Sequence, residues 1–428
     1  MKKYIEKILF ILAKLILSRH HPQVIGITGS VGKTSAKEAI FSVLKTKYNV
    51  RTNYKNYNNE IGLPLTIIGA SSYGKNIFGW IWVIIKALGV IAWPKYQEIL
   101  ILEMGADKPG DIKYLTNLAP CNIGVLTAIG SQPVHLENYK NLDQLIKEKG
   151  IIATHLSDKD FAIINVDDKQ IQSISDKIKA QIFSLGNSEA ATIRVSDINY
   201  SLNLENDSSY RNAGINFKVH YQGNTVPFHL SNVLGMPSVY AGLNAIAVGL
   251  IYKMNLVEIA SALQNYQAPV GRLNIIPGIK DTVIIDDSYN SSPLACRQAI
   301  ELLNKVSVTG RKIACLGNMA ELGSESKKAH REIGRLIQEY NIDILFAIGD
   351  QALEIASAAL EKGMNKDHVF TFPDSDSARK TVQDEIHCGD VILIKGSQSV
   401  RTEKITLEIM AEPQKASELL VRQDKSWK

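Results

Sequence analysis

Gly29-Ser30-Val31-Gly32-Lys33-Thr34-Ser35 has the residue types and order that hold phosphate. A glycine turn that opens a helix presents backbone N–H groups with no helical carbonyl to receive them, and the helix dipole adds partial positive charge there. In that setting Lys33 offers a point charge to the terminal phosphates of a nucleotide, and the Thr34 hydroxyl is a Mg²⁺ ligand. Ile27 stands five residues before Gly32, where the usual phosphate-loop pattern has glycine. An ordinary glycine-rich turn is the alternative; the agreement of strand, Gly-Lys-Thr and helix weighs against it.

Further candidates follow along the chain. Glu98 to Met104 reads as a buried strand, and Glu103 at its carboxyl end lies where a Mg²⁺ ligand belongs, although it would equally cap the helix begun by Asp107-Lys108-Pro109-Gly110. After a strand over Ile123 to Ala128 comes a loop bearing His135, then a helix over Leu142 to Ile152 carrying Lys149. Taken alone, His135 reads as a surface or core histidine and Lys149 as a solvated helix charge.

These residues need elements to position them. Val24, Ile25 and Ile27 predict a strand before the glycine turn, and Ala36 to Leu44 a helix after it. Phe161 to Val166 predicts another strand, and the alternation from Thr192 to Leu230 predicts antiparallel strands. Helices over Val239 to Tyr252 and Val257 to Asn265 close this part, and Gln267 to Gly271 reads as a linker. Beyond it, strands at Thr282 to Asp286, Lys312 to Leu316, Ile344 to Ile348, Val369 to Phe372 and Val391 to Ile394 alternate with helices, which predicts a doubly wound parallel sheet. The fold class is therefore α/β: a short apolar helix over 1–22, a central phosphate-loop domain with a mixed sheet over 23–267, and a Rossmann-like domain over 268–428.

A length of 428 residues with 45% hydrophobic content suits two or three folded domains, and a formal charge of +5 without a basic, aromatic-interleaved run excludes nucleic acid as an expected partner. Cys121, Cys296, Cys315 and Cys388 are widely spaced, which favours reduced thiols in the cytoplasm over a disulfide frame or zinc site. Two apolar runs stand out. Tyr4 to Leu17 carries Lys7 and Lys14 on one stripe with Lys3, and Ile77 to Trp93 has three tryptophans and one charge, Lys86. Both fall short of a membrane span, and they read either as peripheral membrane contacts or as helices packed on the protein itself.

Several phrases together resemble the Mur ligase family, and within it the type that adds D-alanyl-D-alanine to the muramoyl tripeptide. They are Gly26 to Ser35, Asn56 to Thr66 with Asn58 and Asn59, Glu103 to Ala106, Gly271-Arg272-Leu273, Ile285 to Pro293, Leu316 to Gly323 with His330, and Lys395-Gly396-Ser397. Their order covers nearly everything from residue 23 onward. The resemblance implies an ATP-dependent amide ligase that activates a peptide carboxylate as an acyl phosphate, with the peptidoglycan-precursor tripeptide and D-Ala-D-Ala as partners. It implies that Thr34 and Glu103 hold one Mg²⁺, and that His135 and a carbamylated Lys149 serve a second. It also places Arg272, Asp287 and Asn290 at the nucleotide, Asn58 and Asn59 at the substrate, and Lys395, Ser397 and Arg401 at the incoming amine.

Departures from the family's pattern include Gln398, where arginine usually follows Lys-Gly-Ser, and Ala128, where asparagine is usual. Only about twenty residues precede the first strand, so the family's N-terminal UDP-binding domain is expected to be lacking, and a monomer near the inner face of the cell membrane is expected. The alternatives are a related ligase adding another amino acid to a lipid-linked, folate-like or polymer acceptor, and a non-ligating ATPase or scaffold.

Overall fold

In a computed structural model, residues 2–53, 57–131, 138–202, 213–424 and 427 are described. The first sheet is built from β1 (Gln23–Thr28), β2 (Val50–Thr52), β3 (Ile99–Glu103), β4 (Ile123–Leu126), β5 (Phe161–Asn165), β6 (Gln181–Gly186), β7 (Ile193–Ser201), β8 (Gly214–Tyr221) and β9 (Asn224–Ser231). Its order is β2-β3-β1-β4-β5-β6-β7-β8-β9. Pairs from β2 to β7 are parallel, while β7, β8 and β9 are antiparallel, as the alternation from Thr192 predicts.

Successive strand residues go to opposite faces, so each face of this sheet has its own core. Ile25, Ile27, Ile99 and Ile101 pack with helix α2 (Lys33–Leu44; α1 is Lys2–His20) and the helix Met236–Ile251. Val24, Leu100 and Leu102 pack on the other face with α1, α3 (Gly62–Ile68), α4 (Ile77–Ala92), α5 (Asp111–Leu118) and α6 (Leu142–Thr154). The first apolar run is thus a helix whose inner side, Leu9, Leu12, Ala13 and Ile16, is buried. No described helix is long and apolar enough to cross a membrane.

The second sheet runs β10 (Asn274–Pro277), β11 (Val283–Asp287), β15 (Val391–Lys395), β12 (Lys312–Gly317), β13 (Ile344–Ile348), β14 (Val369–Phe372). The expectation of a wholly parallel sheet is corrected here, because β10 pairs antiparallel with β11. The cause is local: Gly278 N donates to Thr282 O at 2.8 Å, and Lys280 and Asp281 take left-handed backbone, closing a tight turn that only antiparallel strands can share. The remaining pairs are parallel. The carboxyl ends of β1, β3 and β11 carry the residues of interest.

Candidate active site

The loop from β1 into α2 is tied to the two residues that follow β4. Ser30 N and Val31 N both donate to Ala128 O, at 2.6 and 3.4 Å, and Thr127 Oγ1 donates to Val31 O at 2.7 Å. Glycine is required at two points. A Cβ on Gly29 would lie 2.1 Å from Thr127 Oγ1, and Gly32, capping α2, has φ of 87°. The first N–H groups of α2 therefore face outward from the turn without carbonyl partners of their own helix. Ser30 Oγ is buried there with no hydrogen-bond partner among the described residues, a hydroxyl that a phosphate oxygen would satisfy.

Three of the expected residues meet at this loop. Thr34 Oγ1 donates to Glu103 Oε2 at 3.0 Å, and Asn58 Nδ2 donates to Glu103 Oε1 at 3.2 Å. Glu103 is only 4% exposed, and among the described residues its carboxylate accepts from these two neutral donors. Burying a carboxylate without a cation is costly, so this oxygen cluster fits a hard divalent ion. No group of three or more His, Cys, Asp or Glu among the described residues could hold a metal. A Mg²⁺ at Thr34 and Glu103 would accordingly draw the rest of its oxygen shell from phosphate and water.

Two lysines converge on one carbonyl. Lys33 Nζ donates to Gly29 O at 2.8 Å, and Lys149 Nζ, from α6, donates to the same oxygen at 3.3 Å. Lys149 is 1% exposed. Burial, then repulsion from Lys33, brings its pKa down to about 7. Desolvation also lowers Lys33, against the pull of Glu103. Two ammonium groups sharing one neutral acceptor mark a place where negative charge is wanted. His135 lies outside the described residues, but the loop leading to it is anchored where Asp168 Oδ2 accepts from Ile129 N at 2.7 Å and Gly130 N at 3.0 Å.

The second sheet brings its own residues to the same loop. Arg272 and Asp287 border a small crevice with Gly32, Thr34, Pro237 and Ser238. The Arg272 guanidinium stacks on Tyr289, 4.2 Å from the ring centroid. A larger cleft of ≈ 740 Å³ opens beside it, bordered by Thr34, Glu38, Arg272, Tyr289, Arg422 and Trp427.

With this geometry in place, comparison with known proteins is decisive. The chain matches the Mur ligase middle domain over residues 27–239 and the Mur ligase, glutamate ligase domain over residues 271–398. It is 30% identical over 402 residues to the UDP-N-acetylmuramoyl-tripeptide–D-alanyl-D-alanine ligase of Bacillus subtilis, covering 94% of this chain and 79% of that protein. The chain belongs to the Mur ligase family. Within the family it is of the MurF type. Thermotoga maritima MurF ligase, solved in complex with ADP, superposes with a TM-score of 0.78 at 26% identity, over 96% of this chain and 84% of that one. A MurF structure from Acinetobacter baumannii, at 24% identity and a TM-score of 0.76, shares the fold over 94% of this chain and 79% of that one.

Elsewhere in this Mur ligase the expected residues are distributed unevenly. Asn59 Oδ1 accepts from Gly62 N at 2.9 Å and so caps α3, which leaves Asn58 as the member of the pair that touches Glu103. Lys395 is placed differently from the expected contact with an incoming amine. It is 1% exposed, donates to Asp287 Oδ2 at 2.6 Å and to Asn290 O at 2.9 Å, and so locks β15 to β11. Asn290, Ser397 and Arg401 line an adjoining cleft of ≈ 600 Å³ with Glu321, Gln398 and Trp427, the last two shared with the larger cleft. Arg401 pairs there with Glu403 and stacks on Trp427, 5.2 Å from the centroid. His330 is fully buried and accepts from Met319 N at 2.9 Å through Nε2, so its Nδ1 carries the proton and donates to Ser326 O at 2.8 Å. Its role is to fix the Leu316 to Gly323 turn.

Sequence reading missed the supports behind the site. Lys37, 2% exposed, donates to Asn53 O at 3.0 Å, and Asn53 Oδ1 accepts from Glu103 N at 2.6 Å. Glu148 accepts from Gly110 N at 2.9 Å and Ile112 N at 2.8 Å, pinning the start of α5 to α6 next to Lys149. The one available signal was position: Lys37 falls one helical turn after Lys33, and Glu148 adjoins Lys149.

Proposed function

We propose that this enzyme joins D-alanyl-D-alanine to the terminal carboxylate of the muramoyl tripeptide of peptidoglycan synthesis, with ATP converted to ADP and phosphate. The convergence of Lys33, Lys149, Thr34 and Glu103 on the Gly29–Gly32 loop, with Arg272 reaching it from the second sheet, carries this reading. A carboxylate oxygen of the acceptor attacks the γ-phosphorus while its bond to the β-phosphate oxygen breaks. The amine nitrogen of the dipeptide then attacks the acyl carbon, the C–O bond to phosphate breaks, and the amine gives up a proton. Both reactants of the first step are anions, so the barrier falls where fixed positive charge gathers.

Lys33 and the first N–H groups of α2 serve the β- and γ-phosphates, together with the Ser30 hydroxyl and the backbone of Gly29, Val31 and Ser35. Thr34 and Glu103 would hold Mg²⁺, which would supply Lewis-acid charge at the phosphoryl oxygens when bound. Asn58 aims Glu103. A second Mg²⁺ is assigned to His135 and Lys149, the latter as a carbamate. A pKa near 7 supports that assignment, because a large share of the amine is then neutral and able to attack CO₂, losing one proton as the anionic carbamate forms. Arg272 meets phosphate, Asp287 and Asn290 the nucleoside side, and Ser397 and Arg401 the dipeptide, with Lys395 holding Asp287 in place.

Residues 23–267 and 268–428 are read as the two lobes between which these substrates meet. The enzyme is read as a monomer of the cytoplasm, working at the inner face of the cell membrane and without nucleic acid. A screen of ATP turnover against acceptor peptides and amines, read by product mass, tests the assignment. The expected product is tripeptide plus D-Ala-D-Ala. Preference for glutamate or a single amino acid would overturn it, as would turnover indifferent to every amine.

A further inference from the structure

Helix α4 is apolar on its outer side as well as its inner one. On a wheel of 100° per residue, Ile77, Phe78, Ile81, Trp82, Ile85, Leu88 and Ala92 cover an arc of about 140° without a single polar side chain. That arc faces outward: Phe78 is 83% exposed and Trp82 56%, while the fully buried residues are the small Gly79, Val83 and Ala87, flanked by Trp80, Ile84, Val90 and Ile91 half-buried against the core. Besides the large residues that pack inward, α4 thus carries a second set, Phe78, Ile81, Trp82, Ile85 and Leu88, on a side that the core does not use. Helix α1 lies beside it on the same face of the first sheet, joined where His20 Nε2 meets Val90 O at 2.9 Å. Its outward side is also apolar, with Tyr4, Ile8, Ile11 and Leu15 exposed, and Lys3, Lys7 and Lys14 run along one flank of that stripe. Exposed Lys75 and Lys95 bracket α4, and no acidic residue occurs between Glu60 and Glu98.

We infer that α1 and α4 together form a docking face for a bilayer containing anionic lipid, lying in the plane of its headgroup layer. Exposed large apolar side chains gathered on two adjoining helices mark an interaction surface. At 16 residues α4 is about 24 Å long, less than the roughly 30 Å of a hydrocarbon core, and its inner side is committed to the protein, so it lies on the membrane. The flanking lysines match anionic headgroups, and the exposed Trp82 and Trp93 suit the same depth. A second copy of the chain is a poorer occupant, since a twofold contact through this face would set its lysines against themselves. Which leaflet it meets rests on the cytoplasmic ligase reading; the docking itself does not.

Sedimentation of the full chain with phosphatidylcholine vesicles, with and without about 30% phosphatidylglycerol, reads the inference directly. Binding is expected to be roughly tenfold stronger with the anionic lipid and to weaken as salt rises. The F78S/W82S variant should lose binding to both vesicles. The K3E/K7E/K14E variant should lose only the anionic preference. All of these side chains are exposed, and unchanged melting temperature and unchanged ligation without vesicles would certify the fold. Absence of vesicle binding, equal binding by F78S/W82S and wild type, or a concentration-dependent dimer abolished by F78S/W82S without vesicle binding would each overturn the inference. A failed ligation assay with vesicle binding intact would strike the enzymatic reading instead.

Discussion

Lys149, on α6, and Lys395, at the end of β15, are the same side chain and each 1% exposed, yet they sit in opposite chemical situations. Lys395 has Asp287 at 2.6 Å and a carbonyl at 2.9 Å, so its buried charge is matched. Lys149 has one shared carbonyl at 3.3 Å and the Lys33 ammonium nearby, and its pKa falls to about 7. A buried amine with a carboxylate partner works as a rivet. One left facing another cation is primed to lose its proton and react. Burial raises both neighbouring carboxylates: Asp287 is opposed in this by its partner Lys395, whereas Asp286 has one oxygen on Thr406 Oγ1 and the other without a partner among the described residues, and is pushed up to about 7.

The sharpest way to break this comparison is at the loop that Lys149 shares. Lys33→Ala is expected to lower kcat by about 10³-fold or more, since it removes the charge nearest the transferring phosphoryl group; single-turnover ADP formation would check it. Lys149→Ala should follow, with a loss of about 10²- to 10³-fold that short carboxylic acids partly restore by filling the place of the proposed carbamate. Wild-type activity in that variant would remove Lys149 from the chemistry. Lys395→Ala should act on stability instead, costing about 3–5 kcal/mol by stranding Asp287, and a chemical denaturation curve would read it. If Lys395→Ala kept its stability and lost only affinity for the dipeptide, the distinction between the two lysines would fail.

The smallest effect is expected at Asp286. Its folded pKa is raised from 3.8 to about 7, so its contribution to stability is fully present below its unfolded pKa and is lost as pH rises through about 7. Melting temperatures of wild type and Asp286→Asn should therefore diverge between about pH 4 and 8, with the variant losing less. Parallel curves would contradict the burial argument.

What could be seen in the sequence was whatever chemistry is contiguous. The turn from Gly29 to Ser35 and the strand ending at Glu103 declared themselves because local pattern and local structure coincide. Lys149 needed the family resemblance, since nothing about a lysine on α6 says that α6 delivers it to Gly29, 120 positions away. The Lys37–Asn53–Glu103 brace and the Asp168 anchor were invisible for the same reason: each is a lone polar residue whose partner is set by tertiary packing. The burial of Lys395 escaped because a lysine past a strand end reads as solvent-facing until the neighbouring strand supplies Asp287. Helix α4 was legible as an apolar run, but which of its apolar residues face outward is set by tertiary packing, which buries the side of Gly79, Val83 and Ala87.

Oxygen transfer tests the central chemistry most directly. An acceptor tripeptide labelled with ¹⁸O in its terminal carboxylate, incubated with ATP, Mg²⁺ and D-Ala-D-Ala, is expected to pass one labelled oxygen to each phosphate released, because that oxygen bridges acyl carbon and phosphorus before the amine displaces it. Unlabelled phosphate formed alongside the amide, or phosphate formed at the same rate without the acceptor, would show that the lysines and Mg²⁺ ligands at the Gly29 loop do not activate a carboxylate.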